Sequence, residues 1–297
     1  MDIVVCVKHV AAPESQFKVD PLTNVLDEKG LRYELNPNDE FAVEEALRVK
    51  DKLGEGQVTA ITLGPPRARD ALVRCLAMGA DQALHIHDEA FEQSDVHVTS
   101  IILARVIKRL GYGLVFCGGE AWDDGQGYVP AGLAEELGTP LVTGVTEVES
   151  VLDSEGARVL RLLEKGDQER VECSLPAVFA VAMAANRPRY PTLRNRLRAL
   201  RQEIPCWDRK IIGLEEEEVG ASGSLTRLIR VSYPRPRAKK LAAPDSSLPV
   251  SQRLNFFLSG GVSQKESNLL DGSTDEAAAK VVEFLMDESI ISGKGVT

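Results

Sequence analysis

The chain has 297 residues, 43% hydrophobic and 5% aromatic, enough to bury one sizeable α/β core with an appendage, or two small domains. A formal net charge of -10 opposes a phosphate backbone and excludes nucleic acid as a general partner. Five scattered cysteines (Cys6, Cys75, Cys117, Cys173, Cys206) without a C-x-x-C pair read as reduced cytoplasmic thiols. No run of eighteen apolar residues occurs, and MDIVVCVKHV enters an apolar stretch without a basic leader. A cytoplasmic chain with no direct membrane insertion is expected.

In chain order, Ile3–Val7, Val58–Leu63, Ala83–Ile86 and Leu114–Cys117 are apolar runs of the kind found in buried parallel strands. Helical patterns lie between them at Asn38–Lys52, Arg67–Met78, Val96–Leu110 and Gly127–Leu137, with Gly54, Gly79, Gly111 and Gly138 as stops. The alternation predicts an α/β fold with a doubly wound, mostly parallel sheet. From Leu141 the texture shifts to VTGVTEVES, ARVLRLLE and RVECSLPAVFAVAM, read as an antiparallel addition. Residues 206–297 read as an extended arm. It contains an acidic run at Glu215–Glu218, a Pro- and Ser-rich linker in YPRPRAKKLAAPDSSLP, and a final helix from Ser273. Ser273 and Glu276 have capping-box spacing, and Ala278, Val281, Val282 and Leu285 form an apolar stripe expected to dock on the core or on a partner.

The common nucleotide and hydrolase signatures, G-x-G-x-x-G, G-x-x-x-x-G-K-[ST], G-x-S-x-G and H-E-x-x-H, are missing. His85 and His87 share a strand face, which a metal or a half-buried strand explains, and no metal is assigned. LNPNDEFAVEEAL places Asn36 as N-cap and Pro37 at the first helical position. CGGEAWDDGQGYVPAGLAEELGTP places a Gly-rich loop between a strand end and a helix start. An open α/β sheet binds its ligand there, and helix N–H groups face phosphate. A third stretch, ANRPRYPTLRNRLRAL, gathers five arginines in an acidic protein.

VVCVKHV, NPNDEFAVEEALRVKD, CLAMGADQALHI, EAWDDGQG and LPAVFAVAMAANRPRYPTL, in this order, resemble the β subunit of electron-transfer flavoproteins over residues 1–205. The resemblance implies a nucleotide-binding α/β domain paired with an α subunit that holds most of the FAD, with a buried AMP in the β subunit. It further implies an electron carrier between acyl-CoA dehydrogenases and a quinone-linked oxidoreductase, without substrate chemistry of its own. In the electron-bifurcating branch a second FAD replaces AMP, and the tail around GLEEEEVGASGSLTRLIRVSYP looks like that branch. A regulatory module binding adenine nucleotide is the alternative of another class.

Carried over by position, the nucleotide contacts fall at Cys6, Asn36, Pro37, Asn38, Asp39, Leu63, Gly64, Gly118, Ala121, Asp123, Gly125, Gln126, Gly127, Tyr128 and Val129. The sequence departs from the family at Tyr128, a bulky residue, and at Pro130, which lacks an N–H. The segment after LPAV implies a partner-recognition loop at 184–201. Leu193 would be its apolar anchor, ringed by Arg187, Arg189, Arg194, Arg196 and Arg198 beside Tyr190. The residues alone also fit a solvated basic helix whose Leu193, Leu197 and Leu200 face the chain's own core.

Overall fold

The computed structural model describes residues 1–15, 17–20, 26–152, 156–183, 185–229, 231, 244, 248–258 and 273–287. They fall into two compact units, Met1–Tyr233 and Pro234–Thr297.

In the first unit, β1 (Asp2–Cys6) leads into an excursion with two short antiparallel ladders. β2 (His9–Ala11) pairs with β5 (Tyr33–Leu35), and β3 (Lys18–Val19) with β4 (Leu26–Asp27). Then come α1 (Pro37–Leu53), β6 (Gln57–Leu63), α2 (Arg69–Met78), β7 (Gln82–Ile86), α3 (Val96–Leu110), β8 (Leu114–Gly118) and α4 (Val129–Leu137). β9 (Leu141–Leu152), β10 (Gly156–Leu162), β11 (Gln168–Ser174), β12 (Ala177–Val181) and α5 (Leu193–Arg201) follow. β13 (Cys206–Trp207), α6 (Arg209–Ile212) and α7 (Gly220–Gly223) close the unit.

The main sheet runs β11-β10-β9-β12-β8-β1-β6-β7-β13. All pairings from β9 to β13 are parallel, while β10 and β11 are antiparallel. The antiparallel addition is therefore smaller than the sequence pattern predicts, because RVECSLPAVFAVAM divides into two strands of different kind. AVFAV is buried at every position and so inserts in parallel between β8 and β9, whereas QERVECS is largely exposed and stays outside. Ion pairs cross the outer strands: Arg158 faces Glu172, Arg161 faces Glu169, and Arg170 grips Glu149 on β9 with two bonds of 2.7 and 2.8 Å.

Residue parity along β1 sorts the core. Ile3, Val5 and Val7 pack with α1 and α2, and Val4 and Cys6 pack with α3 and α4 on the opposite face. From β1 the chain steps outward through β6 and β7, then returns across it to β8, so the winding direction reverses between β1 and β8. Open α/β sheets bind ligands beyond the carboxyl ends of the strands at such a point.

The first unit reaches past the boundary expected at residue 205. β13 pairs with β7, and Ile212, Leu214 and Val219 are buried among α3 residues. In the second unit, α8 (Val250–Leu258) and α9 (Thr274–Asp287) are helical. Ser273 and Glu276 form the expected capping box: the Ser273 N–H donates to Glu276 Oε2 at 3.1 Å, and the Glu276 N–H to Ser273 Oγ at 3.4 Å. Most of the expected Pro- and Ser-rich linker lies outside the described residues. Among the described residues no helix is long and apolar enough to cross a membrane.

Candidate functional site

Cys6 and Cys117 are register partners at the ends of β1 and β8, unbridged and buried. A hydrogen bond with the neighbouring Cys6 thiol, and then burial, push the Cys117 thiol well above its ordinary range. Just beyond them three segments meet. The Lys8 N–H donates to Asp39 Oδ2 at 2.7 Å. Lys8 Nζ bridges to Asp123 at 2.7 Å and Asp124 at 3.0 Å on the Gly-rich loop. Asn36 Nδ2 and Asn38 Nδ2 both donate to the Glu120 carbonyl, at 3.1 and 2.9 Å, and the Trp122 N–H returns a bond to Asn36 Oδ1 at 3.2 Å.

Asn36 occupies the N-cap position of α1 without making a side-chain cap, because its amide is spent on the loop. Asp39 is buried, and burial pushes its carboxyl up to about 7 despite bonds from Lys8 and Gly118. Gly118 has no room for a side chain: a Cβ there would stand 2.3 Å from Asp39 Oδ1. Gly125 and Gly127 take φ of +62° and +58°, which favours glycine. Within the same turn the Gly125 N–H donates to the Ala121 carbonyl at 2.8 Å, and the Gln126 N–H to Asp124 Oδ1 at 3.2 Å.

Beside this loop lies a cavity of about 340 Å³ walled by Asn38, Gly119, Gly127 and Pro130, by Thr143 near the start of β9 and by Met183 just past β12. The Asn38 side-chain oxygen is buried without a hydrogen-bond partner among the described residues, and a buried acceptor left unmet is costly. The two departures at the start of α4 leave the cavity open. Tyr128 is not among its walls; its ring edge lies where a side chain on Gly132 would stand. Pro130 falls in the first two helical positions, where a missing N–H costs no intrahelical bond. The site thus combines a polar wall, a glycine turn and a helix start, which fits an adenine nucleotide and its phosphate.

Cys6, Asn36, Pro37, Asn38, Asp39, Gly118 and the loop through Val129 converge. Leu63 and Gly64 stand one strand further out, at the end of β6 and just past it; the Gly64 carbonyl meets His85 Nε2 at 3.0 Å. His85 and His87 stack at 5.7 Å, and among the described residues no group of His, Cys, Asp or Glu is placed to hold a metal. Sequence reasoning missed Lys8, whose signal was a single cation ending an apolar strand. It also missed Thr143 and Met183, which carry no local signal because distant strands bring them in.

At the second site, Pro191 is buried while Tyr190 and Leu193 are 87% and 74% exposed. Thr192 caps α5 by accepting from the Asn195 N–H at 3.2 Å. The reading in which Leu193, Leu197 and Leu200 face the core is overturned: all three are exposed, and Ala199 is the buried contact of α5. A small residue lets the helix lie close on the core, turning its leucines outward. Arg194, Leu197, Arg198, Arg201 and Gln202 line an open groove of about 530 Å³. Arg189 leaves this ring, because its guanidinium pairs with Glu44 and Asp51.

Residues 23–211 match the model of the electron transfer flavoprotein domain. The chain is 37% identical over 246 residues to Protein FixA of Azotobacter vinelandii, covering 81% of this chain and 86% of that one. It is 37% identical over 232 residues to the electron transfer flavoprotein subunit beta of Clostridium acetobutylicum, covering 78% and 88%. It is 36% identical over 235 residues to the caffeyl-CoA reductase-Etf complex subunit CarD of Acetobacterium woodii, covering 79% and 88%. These matches, with the loop and sheet just described, place the chain in the electron transfer flavoprotein family as a β subunit.

Proposed function

We propose that this β subunit pairs with an α subunit holding FAD, and that the heterodimer carries electrons from an acyl-CoA dehydrogenase to a quinone-linked oxidoreductase. One observation carries the nucleotide part of this reading: the buried, unpartnered Asn38 oxygen on the wall of a glycine-turned cavity at the β1/β8 reversal. AMP is the proposed occupant. Asn38 would accept from a polar hydrogen of the nucleotide, and the N–H groups of Val129 and Ala131 at the start of α4 would take its phosphate. Lys8 offsets the charge of Asp123 and Asp124 beside that phosphate. FAD, when bound, supplies one- and two-electron chemistry that no side chain offers. The unbridged Cys6–Cys117 neighbours suit a reducing cytoplasm.

The likeness to CarD, named for a reductase-Etf complex, favours a second reading in which the β site holds a second FAD. Denaturing the purified heterodimer and identifying the released compounds by mass spectrometry separates the two. FAD and AMP in near-equal amounts are expected; two FAD per heterodimer without AMP establish the bifurcating reading. Release of no adenine compound from the β site sinks both.

The basic rim of α5 would steer an acidic dehydrogenase toward Leu193. Arg194→Glu is expected to slow association several-fold at low ionic strength, with the defect fading near 0.5 M salt as roughly 4 Å screening sets in. Stopped-flow rates across a salt series check this. A defect independent of salt would rule out steering.

A further inference from the structure

Glu44 and Glu45 stand side by side on α1, 4% and 1% exposed. Both are spent on the segment that enters the docking loop. Glu44 accepts from the Arg189 backbone N–H at 2.9 Å, from Arg189 Nε at 2.9 Å and from Arg189 Nη2 at 3.3 Å. Arg48 Nε adds a fourth bond at 3.2 Å, and Arg189 Nη2 reaches on to Asp51 at 3.0 Å. Glu45 accepts from Asn186 Nδ2 at 3.2 Å and from the Val148 N–H at 2.8 Å, while the same Asn186 amide donates to the Phe41 carbonyl at 3.0 Å.

Between Asn186 and Pro191 no backbone–backbone hydrogen bond occurs among the described residues. Side chains therefore hold this stretch. A buried carboxylate that loses its partner is costly, so the segment has one favoured placement. The very next residue, Tyr190, is almost fully exposed, and Leu193 follows after the buried Pro191.

We propose that the Glu44–Arg189 pair is the positioning element of the docking loop: it fixes where Tyr190 and Leu193 stand, and Arg189 itself does not touch the partner. Contact then belongs to Leu193 and to Arg187, Arg194, Arg196 and Arg198, which stand outside the pairing with Glu44 and Asp51 that holds Arg189. The inference rests on the docking reading of Leu193 given above. Because α1 also begins with the Asn36, Asn38 and Asp39 contacts to the Gly-rich loop, one helix orients both sites.

The test uses the purified heterodimer with Glu44→Gln, which keeps the volume of the buried side chain, and Arg189→Ala, on the accessible side of the pair. Two readouts are taken: KM and kcat with the reduced dehydrogenase, and the rate of tryptic cleavage after Arg194. Both variants are expected to raise KM about fivefold or more with kcat at saturation unchanged, and to speed cleavage about tenfold, because the anchor is intact but no longer pre-placed. Should Glu44→Gln fail to assemble, Arg189→Ala carries the test alone. A raised KM with unaltered cleavage would overturn the proposal by making Arg189 a direct contact. Faster cleavage with unaltered KM also overturns it. Leu193→Ala run in parallel then tells the two readings apart: if it raises KM the docking reading survives and positioning alone has failed, and if it does not, both have.

Discussion

Asp39→Ala is expected to lower the stability of this β subunit by about 2–5 kcal/mol, because it strips the acceptor from two N–H groups. Those donors, on Lys8 and Gly118, sit at the joint between β1, α1 and the Gly-rich loop. For a unit of this size the melting temperature should fall by roughly 5–15 °C. The carboxyl also makes a distinct pH signature. Burial raises it from 3.8 to about 7 in the folded chain, so between those values the folded state holds a proton that the unfolded state has released. Its contribution is complete below about pH 4 and is lost as pH climbs to about 7, on the order of 4 kcal/mol in all. Asp39→Asn cannot titrate, so its melting temperature relative to wild type should rise as pH goes from 5 to 8. A gap between the two proteins that stays constant over that range would refute the buried titration.

Leu193→Ala is expected to slow reduction by the dehydrogenase roughly 5- to 150-fold, the loss of about 1–3 kcal/mol for an apolar anchor removed from a partner's pocket. Its 74% exposure means the folded chain loses little contact when the side chain is cut, so the melt and the flavin content should stay at the wild-type level. Truncating a core leucine would behave oppositely, with about 2–5 kcal/mol of stability gone. A melt and a partner-reduction rate on the same variant decide the matter. A lowered melt with an unchanged rate would defeat the docking reading.

Much of the parallel sheet was legible because its strands advertise themselves. Ile3–Val7, Val58–Leu63, Ala83–Ile86 and Leu114–Cys117 are short apolar runs between helices that end at Gly54, Gly79, Gly111 and Gly138, and these glycines do lie just past α1, α2, α3 and α4. The place of β12 was not legible. Its sequence says that it is buried on both faces but not which strands it lies between, a choice made by chain crossing over long separations. The residues alone left the direction of α5 open for a related reason. Leu193, Leu197 and Leu200 carry a perfect core spacing, and what turned them outward was the close fit of Ala199 against the body of the fold. The Gly-rich loop was legible as a turn before a helix, but its ties to Lys8, Asn36 and Asn38 span more than 80 residues and leave no local pattern. Arg189 was read as part of a charged rim for the same reason, since Glu44 stands 145 positions away.

The charge ladder on β10 and β11 bears on how a subunit built to meet another chain avoids meeting the wrong one. β11 is the last strand of its sheet, and a terminal strand displays backbone groups that any extended segment could zip onto. Glu169, Arg170 and Glu172 on β11 are each tied across the sheet, to Arg161, Glu149 and Arg158. An intruding strand would have to strip water from these charges or place its own against them, which disfavours self-association and amyloid-like stacking at that rim. Neutralising the row, with Glu169→Val and Arg170→Val for instance, would turn a guarded margin into a sticky one.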